Sequence, residues 1–332
     1  MDTKARWIWC KSQYEKNEYA EFKKNFVLKK ADSTAKIYIS ADTKYALWIN
    51  GSFVCCGGYE DYPEKKHYDT YAVGEYLKTG ENMIFVSAYY QGESSLHYAV
   101  GQRGFWFCLE NGAEHIISDE TSLARISNTY QNGDMMKITW QLGYSFAYDA
   151  RGENNPASWE HSEVQDKEPP SLARPIRNLV LSGTAPSRVI AQGVFRRAEQ
   201  SGTLADKMQH DFLSSRLFEE IFDGTTGFPL TAKKVYDDGF YVIVDLGEET
   251  SGYFTIKLSA SEGTQIDIAY GEHLNDMRVR SKIGDRNFVV SYICREGEQE
   301  FTQWHGRMGA RYLQLHVSGY RYITLERVSL IS

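Results

Sequence analysis

The connection formed by residues 57–71, GGYEDYPEKKHYDTY, holds the side chains best suited to contact a ligand. It interleaves carboxylates with aromatic rings, among which Tyr59, Tyr62 and His67 are the candidate contacts. The C–H faces of a sugar stack on such rings, while carboxylates accept hydrogen bonds from its hydroxyls. The composition therefore indicates a carbohydrate-binding loop. The alternative is that Tyr68 and Tyr71 fold back to cap the adjoining strands.

A second connection, AYYQGESSLHYAVGQRGFW at residues 88–106, has a similar composition. Its candidate sugar contacts are Tyr89, Tyr90 and His97. Binding residues are commonly carried by loops on a rigid scaffold, so we expect both connections to lie at the same end of one domain. Any sugar site in this chain should therefore lie in its first domain.

Catalysis of glycoside hydrolysis would require two carboxyl groups, one protonated and one ionised. The sequence has many acids, but no strand places a pair of them at alternate positions. We expect Glu248, Glu249 and Glu272 to occupy turns and ladder edges. A third hypothesis is a small complete enzyme that uses loop carboxylates such as Glu60 and Asp69. The prediction is that this chain contains no catalytic residue.

Sequence motifs for a metal or cofactor are absent. There is no HExxH helix, GxSxG elbow or phosphate-binding glycine loop, and the eight histidines are scattered. Some sandwich modules hold a structural calcium with loop oxygens, and Asp61 and Asp69 are the only candidates for that role. We therefore predict no metal and no cofactor.

Short strands must position these connections, because residues 6–110 alternate apolar and polar side chains at strand period. Asn50-Gly51 lies between the runs YALWI and SFVCC and predicts a type I′ hairpin turn, which needs positive φ at both positions. A short irregular turn near residues 74–77 precedes another long strand. The succession resembles a jelly-roll β-sandwich of the galactose-binding type.

A second strand-rich region covers residues 242–312, from VIVDLGEETSGYFTIKLSASEGTQIDIAYGEHLND to FTQWHGRMGARYLQL. It resembles the concanavalin-like β-sandwich that precedes the catalytic barrel in bacterial α-L-rhamnosidases, and WHGRMGARY resembles the HG…RY signature of that family. The resemblance implies that Arg311 and Tyr312 fix strand and loop geometry. The edge at Trp304 and His305 would either pack structurally or face the barrel.

The first region supports the same resemblance through its WIW strand, its WING hairpin, its YDTY crossing and its YLKTGEN turn. Enzymes of the family are inverting and take both carboxyl groups from an (α/α)6 barrel, which is not found before Ser332. The resemblance therefore implies a non-catalytic N-terminal portion of an α-L-rhamnosidase-like glycoside hydrolase that positions the barrel. The alternative is a free-standing carbohydrate-binding or adhesion protein with no catalytic partner domain.

Length and composition favour two all-β domains, each an antiparallel β-sandwich. The chain has 332 residues, and five of its seven prolines fall within residues 150–187. We expect the first domain at 1–187 and the second at 188–332. One amphipathic helix or a long insertion is predicted over 204–222, with an apolar stripe at Leu204, Met208, Phe212, Leu213, Leu217 and Ile221.

Charge and cysteine content argue against several other functions. The net charge is −7 and the lysines and arginines are dispersed, which disfavours nucleic-acid binding. Five cysteines without a CxxC spacing suggest neither disulfides nor zinc, and no run is long enough for a signal peptide or a membrane span. As written, the chain is expected in the cytoplasm, unless a leader was removed, with a rhamnose-containing glycan and the parent's catalytic barrel as partners.

Overall fold

The computed structural model describes residues 4–155, 158–214, 227–232 and 238–332. Its regular structure is dominated by β-strands, as the sequence predicts. The strands of the first half, in chain order, are β1 Ile8–Trp9, β2 Glu18–Leu28, β3 Lys36–Asp42, β4 Lys44–Ile49, β5 Ser52–Gly57, β6 His67–Ala72, β7 Gly80–Tyr90, β8 Gly104–Asn111, β9 Glu114–Ile117, β10 Leu123–Ile126, β11 Lys137–Thr139, β12 Gly143–Tyr144, β13 Ala147–Asp149, β14 Glu160–His161, β15 Glu163–Val164 and β16 Leu172–Ala173. Short 3-10 turns lie at Gly74–Tyr76 and Ala150–Asn154.

Two mainly antiparallel sheets form the first sandwich. One has the order β15-β1-β8-β3-β6-β16, with β9 beside β8, and the other has the order β14-β10-β2-β7-β4-β5. Alternate residues of the strands point between the sheets, as the strand period requires. Ile37, Ile39, Leu47, Val86 and Phe107 are among the buried side chains that fill this core.

The predicted hairpin turn at Asn50-Gly51 is confirmed. Both residues have positive φ, 51° and 84°, and Ile49 pairs with Ser52 across the turn. The Asn50 side chain also ties the turn to its surroundings, because its Nδ2 donates to the Tyr76 carbonyl at 2.8 Å. A glycine at position 51 is favoured because other residues adopt this backbone conformation with strain.

The second half contains strands β17 Arg188–Arg196, β18 Phe212–Ser214, β19 Leu230–Ala232, β20 Gly239–Ala260, β21 Gln265–Gly271, β22 Leu274–Asn275, β23 Arg278–Val279, β24 Lys282–Ile283, β25 Arg286–Asn287, β26 Val289–Ile293, β27 Gly297–Thr302, β28 Met308–Ser318 and β29 Ile323–Ile331, with helix α1 at Leu204–His210. The strands predicted at 242–258 and 264–271 are confirmed as β20 and β21.

The 22-residue strand β20 belongs to both sheets of the second sandwich. Its first part pairs with β17 and β28, and the pairing becomes irregular between Asp245 and Thr250. Pairing with β28 resumes at Thr250, and from Tyr253 onward β20 pairs with β29 and then also with β27. Val244, Ile256, Ile268, Leu315 and Val328 are among the buried side chains between these layers.

Helix α1 is shorter than predicted. Thr203 caps its first turn, and Asp206 completes the capping box. The helix ends before Asp211, whose carboxylate accepts a hydrogen bond from the Ala198 amide at 3.1 Å. Residues 212–214 then form β18 against β17, so the helical prediction is wrong there. The predicted stripe positions Leu217 and Ile221 lie outside the described residues.

The segment between the two halves runs back along the first sandwich. Strands β14, β15 and β16 pair with β10, β1 and β6, whereas β13 joins the second sandwich beside β26. Strand β17 begins at Arg188. The division of the chain at residues 187 and 188 stays a prediction.

Candidate functional site

The two connections singled out in the sequence lie side by side at the end of β3. Tyr98 of the 88–106 connection donates its hydroxyl to Asp42 Oδ1 at 2.6 Å. Lys66 of the 57–71 connection places its Nζ 3.3 Å from Asp42 Oδ2. Gly101 lies so close to Pro63 that a Cβ at position 101 would be 3.1 Å from the proline Cβ. Asp42 is thus the buried point on which both connections converge.

A balanced set of charges surrounds Asp42. Lys66 Nζ lies 2.7 Å from Asp61 Oδ1, and Lys167 Nζ lies 3.7 Å from Asp42 Oδ2. Asp42 Oδ2 accepts no hydrogen bond of good geometry among the described residues, although two ammonium groups lie nearby. Two carboxylates and two ammonium groups therefore compensate one another, as buried charges require.

The side chain of Lys167 is largely buried. Its pKa is lowered to about 8, mainly by burial; the Asp42 carboxylate opposes this shift, and the nearby positive charge of Lys66 adds to it. The ammonium lies 4.2 Å from the centre of the Trp7 ring and donates to the Gln102 carbonyl at 3.0 Å. The amine is thus held in a fixed position and releases its proton more readily than an ordinary lysine.

A recess of about 400 Å³ opens beside these groups. It is lined by residues 63–66 on one side and by 167–169, 171 and 172 on the other. Its walls combine proline rings, a leucine, a serine hydroxyl, three lysines and two glutamates. A mixed wall with several polar groups is suited to a small polar ligand with many hydroxyls.

The candidate rings of the 57–71 connection lie near this recess. Tyr62 precedes Pro63 of the recess and is 76% exposed, so its ring is free to stack on a ligand. Tyr59 and His67 are half-buried and contact each other edge to face, with ring centres 5.3 Å apart. The Arg174 guanidinium lies 5.2 Å from the Tyr59 ring centre. His97 of the other connection is exposed.

Tyr89 and Tyr90 occupy a different environment, because both belong to β7 rather than to a loop. Tyr89 is buried against Tyr19, with ring centres 4.6 Å apart. Tyr90 is buried against Trp9 and donates its hydroxyl to the Gly101 carbonyl at 2.9 Å. Neither ring presents a free face to a ligand in this structure, since Tyr89 is covered by the second sandwich and Tyr90 by the core of the first.

The carboxylates considered for metal binding or catalysis already have partners. Asp61 Oδ2 accepts the His67 amide at 2.6 Å, and Asp69 is bonded to the Tyr45 hydroxyl and the Arg174 guanidinium. Glu60 pairs with Lys44. Within the described residues, no group of three His, Cys, Asp or Glu side chains is arranged to hold a metal ion.

Sequence reasoning missed Asp42, Lys66, Lys167 and Trp7 as parts of this site. Lys66 lies inside the predicted 57–71 connection, but the prediction considered only aromatic rings, histidine and carboxylates there. Lys167 is far from the other groups in sequence and reaches them only because β15 pairs with β1. No spacing rule would have found that contact.

His305 lies at a junction between the two sandwiches. It contacts Tyr19 and Tyr130 edge to face, at 5.3 and 5.5 Å between ring centres, and its Nε2 donates to the Ser87 carbonyl at 3.1 Å. Burial lowers the pKa of His305 to about 4, so the ring is neutral at physiological pH. The neighbouring Trp304 stacks on Phe53, with ring centres 4.0 Å apart. The structural alternative for this edge is therefore the one that the geometry favours.

Arg311 contacts the irregular part of β20. Its Nε donates to Asp245 Oδ1 at 3.1 Å, and the same carboxylate oxygen accepts the Gly247 amide at 2.8 Å. These hydrogen bonds lower the pKa of Asp245 despite the opposing effect of its burial. The predicted role of Arg311 in fixing strand geometry agrees with these contacts.

Comparisons with known proteins identify the class to which these two sandwiches belong. Residues 30–170 match the α-L-rhamnosidase N-terminal domain, and residues 237–330 match the bacterial α-L-rhamnosidase concanavalin-like domain. The chain is thus a tandem of the sandwich domains found in these glycoside hydrolases. It belongs to the bacterial α-L-rhamnosidase family. A search of curated protein sequences finds no match.

Solved structures share the fold over nearly the whole chain. The GH78 family rhamnosidase of Bacillus sp. GL1 is 17% identical, with a TM-score of 0.78 over 99% of this chain and 55% of that one. The α-L-rhamnosidases of Dictyoglumus thermophilum and Streptomyces avermitilis are 18% and 19% identical, with TM-scores of 0.61 and 0.60. Their matches cover 98% and 96% of this chain, and 35% and 29% of the length of those enzymes. The Streptomyces enzyme is complexed with L-rhamnose. The chain spans about half the length of the Bacillus enzyme and a third of the others.

The described residues include no helix long and apolar enough to cross a membrane.

Proposed function

We propose that this chain is the non-catalytic β-sandwich portion of an α-L-rhamnosidase-like glycoside hydrolase, in which it positions a catalytic barrel and contacts glycan. The observation that carries the proposal is the match of two family domains, in tandem, at residues 30–170 and 237–330. The recess is lined by Glu64 and Glu168 together with three lysines, and the proposal gives neither glutamate a catalytic role. The catalytic carboxyl groups would then come from the barrel.

The junction between the sandwiches supports a positioning role. Tyr130 donates its hydroxyl to Gln303 at 2.8 Å, and its ring stacks on Tyr19 with centres 4.0 Å apart. Strand β13 lies parallel to β26 and so extends a sheet of the second sandwich with residues from the first half. Buried rings and a shared sheet resist relative rotation of the two sandwiches. A stiff pair of sandwiches can hold a third domain at a defined angle.

We also propose that the chain divides into a first domain at 1–187 and a second at 188–332. Support comes from β17, which begins at Arg188 and pairs only with strands of the second half among the described residues. Two stretches before residue 187 nevertheless contact the second half: β13 pairs with β26, and residues 182–185 bond to the end of β29 and to Ser332. The pairing of β13 with β26 therefore joins the two proposed domains through one sheet.

The recess beside Lys66 and Lys167 is the proposed glycan contact. Exposed Tyr62 would stack on a sugar ring, while Tyr59, His67 and His97 flank it as further candidates. Each stacking ring contributes about 1 kcal/mol beyond its buried area, which corresponds to affinities from millimolar to high micromolar. A rhamnose-containing glycan is the expected ligand because the relatives are rhamnosidases. The cytoplasmic location expected from the sequence stays a prediction.

A free-standing carbohydrate-binding protein is the second candidate, favoured by the exposed Tyr62 ring next to the recess. The coding sequence beyond Ser332 separates the two candidates. If it encodes a helical domain, and the whole gene product hydrolyses aryl α-L-rhamnosides, the first proposal is supported. A stop codon directly after Ser332, together with saturable sugar binding by the chain, would support the second and contradict the first.

A further inference from the structure

The segment at residues 176–181, IRNLVL, exposes four large aliphatic side chains in a row of six residues. Ile176 is 58% exposed, Leu179 64%, Val180 87% and Leu181 39%. Single exposed aliphatic residues are normal on a protein surface, but a contiguous apolar patch marks a contact with another body. Among the described residues, the 176–181 segment is therefore a candidate contact surface.

The backbone of this segment is also unpaired. It is tied down before its first residue, where the Arg174 amide donates to the Tyr68 carbonyl at 2.9 Å, and after its last, where the Ser182 amide donates to the Ser332 carbonyl at 2.6 Å. Among the described residues, no backbone hydrogen bond joins residues 175–181 to a strand or turn. In the described part of the two sandwiches, no strand pairing accounts for an apolar sequence at this position.

The 176–181 segment lies beside the last strand of the structure. The Ser332 amide donates to the Gly183 carbonyl at 2.9 Å, and Thr184 forms an isolated bridge with Ile331. A polypeptide that continues from Ser332 would emerge directly next to the exposed aliphatic side chains. The Bacillus sp. GL1 relative, of which this chain covers 55%, shows that sandwiches of this type occur within longer proteins.

We propose that the 176–181 segment is the docking surface for a catalytic domain joined to the chain after Ser332. This inference rests on the proposed function and adds the place of contact. The aliphatic side chains would pack against apolar side chains of that domain, and the exposed guanidinium of Arg177 would lie at the rim of the contact. The occupant is thus a folded domain with a complementary apolar face.

The test compares hydrogen exchange of the whole gene product with that of the 332-residue chain. Amides of residues 176–181 should exchange at least tenfold more slowly in the whole product, because docking would shield a backbone that is otherwise unpaired. Equal exchange in both proteins, with the whole product active, would overturn the inference and leave the proposed function standing. A reading frame that ends at Ser332 would overturn both.

Substitutions give the second arm of the test. Leu179→Ser with Val180→Ser should leave the thermal unfolding of the 332-residue chain unchanged, since both side chains are exposed. In the whole product the same pair should restore fast exchange of the segment, whereas the matched control Val27→Ser, at a 69% exposed aliphatic residue of β2, should not. If the 332-residue chain dimerises and the double substitution abolishes the dimer, the segment is a contact with a second copy. That result would overturn the inference.

Discussion

Acid should weaken the described junction between the two sandwiches through His305. Its folded-state pKa of about 4 lies below the ordinary value of 6.5, so the unfolded chain binds more protons between these pH values. The contribution of the neutral ring to stability is therefore complete above pH 6.5 and is lost as the pH falls towards 4. The shift corresponds to about 3 kcal/mol at most, since one pKa unit is about 1.4 kcal/mol.

His305→Gln isolates this contribution. Glutamine does not titrate, and its amide can still donate to the Ser87 carbonyl that His305 now contacts. Guanidinium unfolding at a series of pH values from 4 to 7.5 should show a steeper loss of stability for the native protein than for the variant. The free energy of unfolding of the native protein should fall by about 3 kcal/mol more than that of the variant as the pH is lowered from 7.5 to 4.

The contributions of other titrating groups to the pH dependence of stability are the same in the native protein and in His305→Gln, so they cancel in the difference. His316 is also buried and has a lowered pKa, mainly from burial, but it is present in both proteins. His97→Gln, at an exposed loop position away from the junction, serves as the control for a histidine-to-glutamine change as such. Parallel stability curves for native protein and His305→Gln would refute the reasoning, because they would mean that the ring is solvated or already charged in the folded state.

Three further outcomes are expected. Tyr62→Ala should weaken rhamnose binding about fivefold in NMR titrations, from the loss of about 1 kcal/mol of stacking, and Tyr59→Ala should weaken it less; wild-type binding in both would assign the rings to packing. Gly51→Ala should lower the free energy of unfolding by about 1 kcal/mol because of its φ of 84°, while Gly306→Ala should not, as measured by urea titration. The rate at which acetic anhydride labels Lys167, followed by mass spectrometry, should level off above about pH 8, since a pKa of about 8 leaves half of its amine neutral there; a rate that keeps rising about tenfold per pH unit up to about pH 10 would contradict the burial argument.

Local rules were sufficient for much of the architecture. The hairpin at Asn50-Gly51 follows from two adjacent residues, and β20 and β21 follow from strand-period alternation across 242–271. The helix over 204–222 shows where such rules fail. Its apolar spacing continued through Phe212, but the tertiary contact of Asp211 with His316 and the pairing of β18 with β17 end the helix at His210.

The candidate site was predictable only in part. Loop composition located the two connections, and their contact at Asp42 agrees with that prediction. Loop composition could not show that Tyr89 and Tyr90 lie within β7, where both faces of the sheet are covered. Lys167 reaches the recess through strand pairing between β1 and β15, a long-range contact without a local signature.

The most direct test of the central claim is an assay of the purified 332-residue chain for release of rhamnose from aryl and flavonoid rhamnosides. The account predicts no turnover, because inverting hydrolysis requires an acid and a base about 6.5–9.5 Å apart on either side of the substrate, and the proposal draws both from a separate barrel. Turnover that survives repurification, and that Glu60→Gln or Asp69→Asn abolishes, would show that the sandwiches are themselves catalytic and would contradict the account.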